Sequence, residues 1–243
     1  MNTQTFEHEL QKSVSDYVTK HPELTRVFEA LGIDYCCGGK KPIVELFEKK
    51  GLDAETFLKV VPFILHKNKD TGTDPGAMTL DALIDNIVQT HHAYLRQELP
   101  RINKLAEKVA KVHGTQEVRL NTLLEVVQQF TAEIYAHATK EEHILFPAIN
   151  AMLQSEQSPR FPFGTLANPI RAMEMEHENA GGGLEEMRSL TDNFTPPEWA
   201  CNTYRALYDA LDTLEKDMHL HIHKENNILF PRALELEAQL NNN

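Results

Sequence analysis

A chain of 243 residues, 41% hydrophobic and 25% charged, has room for one helical bundle of ordinary size and a small second domain, and is not composed like a disordered chain. Its net charge of −12 excludes a broad nucleic-acid surface, which needs clustered Lys and Arg, and no apolar run approaches the roughly 20 residues that span a bilayer. Three cysteines cannot build a disulfide framework, and MNTQTFEHELQKSV has neither the basic start nor the apolar core of a secretory signal, so the expected compartment is the cytoplasm.

In chain order, residues 1–65 carry short helical patterns: FEHELQKSVSDYV, PELTRVFEAL, PIVELFEKK and DAETFLKVVPFIL. Apolar residues recur at three and four, and Gly32, Gly38, Gly39 and Gly51 punctuate the runs. So small a segment is near the lower limit for folding alone. It is expected to lean on the rest of the chain or on a second copy of itself, as a homodimer. Residues 66–78, HKNKDTGTDPGAM, are polar and aperiodic and read as a linker. Residues 79–243 then hold four longer helical patterns, at about Thr79–Val112, Thr115–Leu153, Asn168–Asp192 and Pro196–Gln239. No useful strand alternation appears, so the expected class is all-α: a small helical domain followed by a four-helix bundle. Pro100, Pro147 and Pro231 fall inside helical patterns and should kink or end them locally.

Twelve histidines make metal binding the chemistry to test. HATKEEHILFP at 137–147 and HIHKENNILFP at 221–231 agree at seven of eleven positions, 84 residues apart, and His92 and His177 lie 85 apart on the other two helices. A duplicated helical hairpin explains the set. Positions i and i+4 share a helix face, so His137 with Glu141, and His221 with Glu225, each project an imidazole and a carboxylate together. His92 and His177 add one imidazole each from facing helices, a known use of bundle interiors.

Two octahedral irons offer about twelve ligand positions. Four imidazoles, two bridging carboxylates and one oxo or hydroxo bridge leave one position open on each. The mixed imidazole and carboxylate set suits iron better than zinc, with manganese as the alternative. A lone histidine on an apolar face reads more simply as a core residue, but six such groups in one core without a counter-charge would cost too much.

Glu133 and Asp217 each precede a ligand histidine by four residues and Glu176 adjoins His177. These carboxylates either orient imidazoles and guide cations or are plain surface acids. His91, His143, His219 and His223 point away from the ligand face and are expected on the surface. Cys201 is expected to be buried structure. The vicinal Cys36–Cys37 pair, before Gly38–Gly39, chelates one metal poorly; a redox or docking role and a packing role both stay open.

His92 within HHAYLRQELP, His137-x3-Glu141, His177 within MEMEHE and His221-x3-Glu225 resemble the hemerythrin-like di-iron domain. Oxygen-carrying hemerythrins use five histidines; this set offers four. LGIDYCCGGKKP resembles the short cysteine-containing domain of the iron–sulfur cluster repair di-iron proteins (the RIC family), and the likeness covers nearly the whole chain. The resemblance implies a cytoplasmic stress protein that restores iron–sulfur clusters damaged by nitric oxide or peroxide, with a non-haem di-iron centre supplying iron. The implied partners are damaged iron–sulfur proteins or their assembly machinery, with nitric oxide or oxygen species as small ligands and neither nucleic acid nor membrane. An iron donor is expected rather than a turnover enzyme. A nitric oxide or peroxide reductase and a nitric oxide or oxygen sensor are the competing expectations.

Overall fold

The computed structural model describes residues 8–21, 24–36, 39–67 and 75–242. Residues 68–74 of the expected linker, together with Cys37 and Gly38, lie outside the described residues. Among the described residues the secondary structure is helical, with two isolated β-bridges, Ser13–Pro42 and Phe161–Gly164, and no strand. None of the helices described is long and apolar enough to cross a membrane. By contact the chain divides into two compact units: Met1–Leu83 with His219–Arg232, and Ile84–Met218 with Ala233–Asn243.

In the first unit, α1 (Val14–Lys20), α2 (Thr25–Ala30), α3 (Ile43–Lys49) and α4 (Ala54–Lys67) follow in order. The first sequence pattern is interrupted ahead of α1. Ser13 caps the helix by accepting from the Asp16 N–H, and Asp16 returns the bond to the Ser13 N–H. Ser13 is also tied to Pro42, and Ile43 N–H donates to Lys12 O (2.9 Å), which fixes where α1 and α3 begin. Gly32 and Gly51, at φ +61° and +66°, end α2 and α3. In both, the next N–H returns to the carbonyl five residues back, Ile33 to Phe28 and Leu52 to Phe47, which needs the left-handed residue between. Phe57 lies 5.3 Å from Phe28 and 4.9 Å from Phe47, ring centre to ring centre, and all three are buried.

The second unit is built on four long helical runs. α5 (residues 80–113) joins Leu80–Ile87, a π turn at Val88–His92 and Ala93–His113. α6 (residues 119–153) joins Arg119–Lys140, a π turn at Glu141–Leu145 and Phe146–Leu153. α7 is Ala167–Leu190. α8 (residues 202–241) joins Asn202–Lys224, a π turn at Glu225–Leu229 and Phe230–Asn241, and its residues 219–232 group with the first unit.

α6 packs on α5 and α7, a part-buried Arg188–Glu215 ion pair ties α7 to α8, and a His91–Asp217 bond (2.9 Å) ties α8 to α5. The ring of helices therefore closes. Its interior is lined at three- and four-residue intervals by Leu95, Leu99 and Ile102, by Leu123, Val127, Phe130 and Ile134, and by Met173, His177, Ala180 and Leu184. Each large apolar side chain among them contributes about 1.5–3 kcal/mol on burial. Val88 and Leu124, beside the buried Ile87 and Leu123, are only half-buried.

Two helix starts come later than the sequence pattern suggests. α6 begins at Arg119 rather than 115, and α8 at Asn202 rather than 196. Before α8, Asp192, Asn193 and Phe194 all take positive φ, +50° to +58°, and Pro196 and Pro197 bring no N–H to a helix. Pro100 lies within α5, and Pro147 and Pro231 follow π turns; none of the three ends its helix.

Candidate metal centre

The three π turns among the described residues fall at positions of the predicted ligands. The first ends on His92; the second and third begin with Glu141 and Glu225. In each, a backbone N–H reaches five residues back: Ala93 to Val88, Phe146 to Glu141 and Phe230 to Glu225. Pro147 and Pro231 are the second residues after two of these turns. A proline ring clashes with the carbonyl four residues before it, and the widened turn gives it room. The repeated Glu-x-x-Ile-Leu-Phe-Pro string therefore encodes a local distortion as well as a candidate ligand.

His92, His137, Glu141, His177, His221 and Glu225 are all buried, with at most 2% of each residue exposed. They form two groups, His92–Glu141–His221–Glu225 and His137–Glu141–His177–Glu225. Within each group one ligand atom per residue lies within 4.8 Å of the others, and Glu141 and Glu225 belong to both. His92 Nε2 and His137 Nε2 each lie 3.3 Å from Glu141 Oε2. His137 Nε2 is 3.1 Å from His177 Nε2, and His221 Nε2 is 2.9 Å from Glu225 Oε1.

The donor set fits metal ions. Neighbouring ligands at about 2.1 Å from an octahedral ion are roughly 3 Å apart, the spacing found here, and two imidazole nitrogens this close gain from a shared cation. The outer nitrogens are arranged to match. His92 Nδ1 lies 2.6 Å from Glu142 Oε1, and His137 Nδ1 lies 3.0 Å from Glu176 Oε2. Arg96 pairs with Glu142, and Lys140 with Glu176. Burial pushes each carboxyl up, but the bonds from the histidine and the cation outweigh it and leave both below the usual carboxylate range. An ionised carboxylate only accepts, so each ring donates from Nδ1 and turns the lone pair of Nε2 inward.

The other predicted residues are placed differently. Glu176 backs His137 rather than its neighbour His177. Glu133 is exposed and accepts from Gln129, and Asp217 bonds His91. His91 and His223, expected on the surface, are 2% and 3% exposed. His91 is drawn in by Asp217. His223 faces the Tyr35 carbonyl (3.4 Å), and burial lowers its pKa to about 4, so its imidazole is neutral. His219 is half-buried against the Tyr35 ring, and His143 is exposed.

Cys201, expected to be buried, is exposed, because it precedes α8 instead of sitting on an inward face. Cys36 is buried; its N–H and its thiol both donate to Asp34 Oδ1, at 2.8 and 3.1 Å. Asn227 Nδ2, from the π turn that begins with Glu225, donates to Cys36 O (3.2 Å). Glu142 carried no usable signal in the sequence: on a straight helix it turns away from Glu141 by about 100°.

Helices that set paired imidazoles and shared carboxylates into one interior define a hemerythrin-like protein. The family model described as the hemerythrin HHE cation binding domain matches residues 83–233. A second, described as a domain of unknown function (ScdA_N), matches residues 10–61. Curated relatives named iron–sulfur cluster repair protein YtfE are similar along most of the chain. The protein of Yersinia pseudotuberculosis is 38% identical over 88% of this chain and 92% of its own length. That of Musicola paradisiaca is 37% identical over 95% and 100%, and that of Yersinia pestis 37% identical over 88% and 92%. The chain belongs to this family of iron–sulfur cluster repair proteins.

Proposed function

We propose that the protein repairs damaged iron–sulfur clusters by supplying iron from a non-haem di-iron centre. The observation that carries the reading is the pair of buried groups that share Glu141 and Glu225. His92 and His221 would hold one ion and His137 and His177 the other, with Glu141 and Glu225 shared between them and an oxo or hydroxo group completing the centre. Bound there, the pair supplies ferrous ions for transfer and a binding position for nitric oxide or oxygen species. The chain's own part is to orient four imidazoles, to neutralise the cations with two carboxylates and to keep bulk water from the ligands, all of which are buried.

The names of the relatives support repair, and the two family matches support a division into a cysteine-containing domain at 1–65, a linker at 66–78 and a bundle at 79–243. Cys36 and Cys37 then serve docking or thiol exchange with a damaged iron–sulfur protein or its assembly machinery. The setting is the cytoplasm, and the unit is a monomer or homodimer.

The test mixes iron-loaded protein with a nitric oxide-damaged [4Fe–4S] enzyme under anaerobic conditions. Recovery of the acceptor in proportion to iron lost by the donor is the expected result. Sustained nitric oxide or peroxide consumption with a reductant, without iron loss, would replace donation by a reductase.

A further inference from the structure

We propose that Glu142, held by Arg96, is the positioning residue that fixes His92 and sets how firmly one of the two irons is retained; this rests on the di-iron reading above. Successive glutamates grip opposite ends of one imidazole. Glu141 Oε2 lies 3.3 Å from His92 Nε2, and Glu142 Oε1 lies 2.6 Å from His92 Nδ1. A straight helix turns neighbouring side chains about 100° apart; here both belong to the π turn Glu141–Leu145. The His92 side chain has no exposed surface, so its ring orientation is set by these groups and by Phe146, stacked on it at 5.9 Å. The 2.6 Å contact is at the short end for a charge-assisted bond.

Arg96 lies one turn beyond His92 on α5 and meets the same Glu142 Oε1. Glu142 therefore ties two positions of α5 to α6 beside the ligand. Arg96 is half exposed and sets a cationic counter-charge beside the Glu142 carboxylate.

The arrangement is confined to one half of the duplicated sequence. The residue 84 positions after Glu142 is Asn226, and the residue 85 positions after Arg96 is Gly181, so neither the acid nor the cation recurs. The other group has a separate device, Glu176 with Lys140, acting on His137. Loss of Glu142 should thus loosen one metal and spare the other.

The variant Glu142→Gln keeps the shape and an acceptor atom but removes the charge. Iron release from loaded protein to a ferrous chelator is followed anaerobically, beside the near-ultraviolet spectrum of the oxidised form and the unfolding midpoint of the iron-free protein. In Glu142→Gln we expect half of the iron to leave roughly 10- to 100-fold faster, the range for loss of such a partner, with the other half and the iron-free midpoint unchanged. Arg96→Gln should speed the same half by less, and Arg96→Lys should restore it. Release unchanged in Glu142→Gln, or both halves speeded together with a fall in the iron-free midpoint, would overturn the proposal. Failure of wild-type protein to repair an acceptor while Glu142→Gln still releases half its iron early would sink the functional reading and leave this one standing.

Discussion

His137 meets three groups at once: Glu141 Oε2 at 3.3 Å, His177 Nε2 at 3.1 Å and, through its other nitrogen, Glu176 at 3.0 Å. Truncating it removes a proposed ligand and leaves the partners facing one another. His137→Ala and Glu141→Ala should each bind fewer irons per chain than wild type, as measured by elemental analysis, with helical circular dichroism preserved. Undiminished iron in both variants would strike them from the ligand set. Cys201 makes a separate prediction at this scale. Backbone N–H from Tyr204 and a bond from His113 (Nε2 to Sγ, 3.3 Å) lower its thiol to about 7. The thiolate is the reactive form, so alkylation of Cys201 should rise with pH through a midpoint near 7 and level off above it. His113→Ala should move that midpoint upward. A midpoint near 9 in wild type, mapped to the Cys201 peptide by mass spectrometry, would contradict the geometry.

Among the elements, α1 depends on the reciprocal cap between Ser13 and Asp16. Ser13→Ala should cost about 1 kcal/mol, the usual value for such a cap, seen as a lower urea midpoint of the first unfolding transition. An unchanged midpoint would mean that the Lys12–Ile43 and Ser13–Pro42 contacts hold α1 by themselves. Much of the architecture could be read ahead of the structure. The helical patterns at about Thr79–Val112, Thr115–Leu153, Asn168–Asp192 and Pro196–Gln239 mark α5 to α8, with the starts of α6 and α8 placed too early. The 84-residue repeat made His137, Glu141, His221 and Glu225 stand out.

The π turns were not legible, because one added residue per turn barely disturbs the apolar pattern, and with them went Glu142. His91 and His223 were misplaced for a related reason: angular position on a lone helix says nothing of what packs beside it, Asp217 in one case and Tyr35 in the other. Cys201 was misplaced because three left-handed residues and two prolines delay α8 to Asn202.

For the molecule as a whole, four imidazoles and two carboxylates gathered in one interior bear on stability as well as on function. Removal of a cation that organises them leaves ionisable groups buried against each other. A ligand present at about a thousand times its dissociation constant stabilises by about 4 kcal/mol, roughly 10 °C for a chain of this size. Iron-loaded protein should therefore unfold about that much higher than chelator-stripped protein in calorimetry, and readdition of ferrous iron should restore the difference. Equal midpoints would mean that the six groups are satisfied without metal.

The most direct test of the central claim is anomalous X-ray diffraction from iron-loaded crystals at the iron edge. The account predicts two peaks per chain, one within bonding distance of His92 and His221, the other of His137 and His177, with Glu141 and Glu225 reaching both. A single peak, or iron bound away from these six side chains, would contradict it.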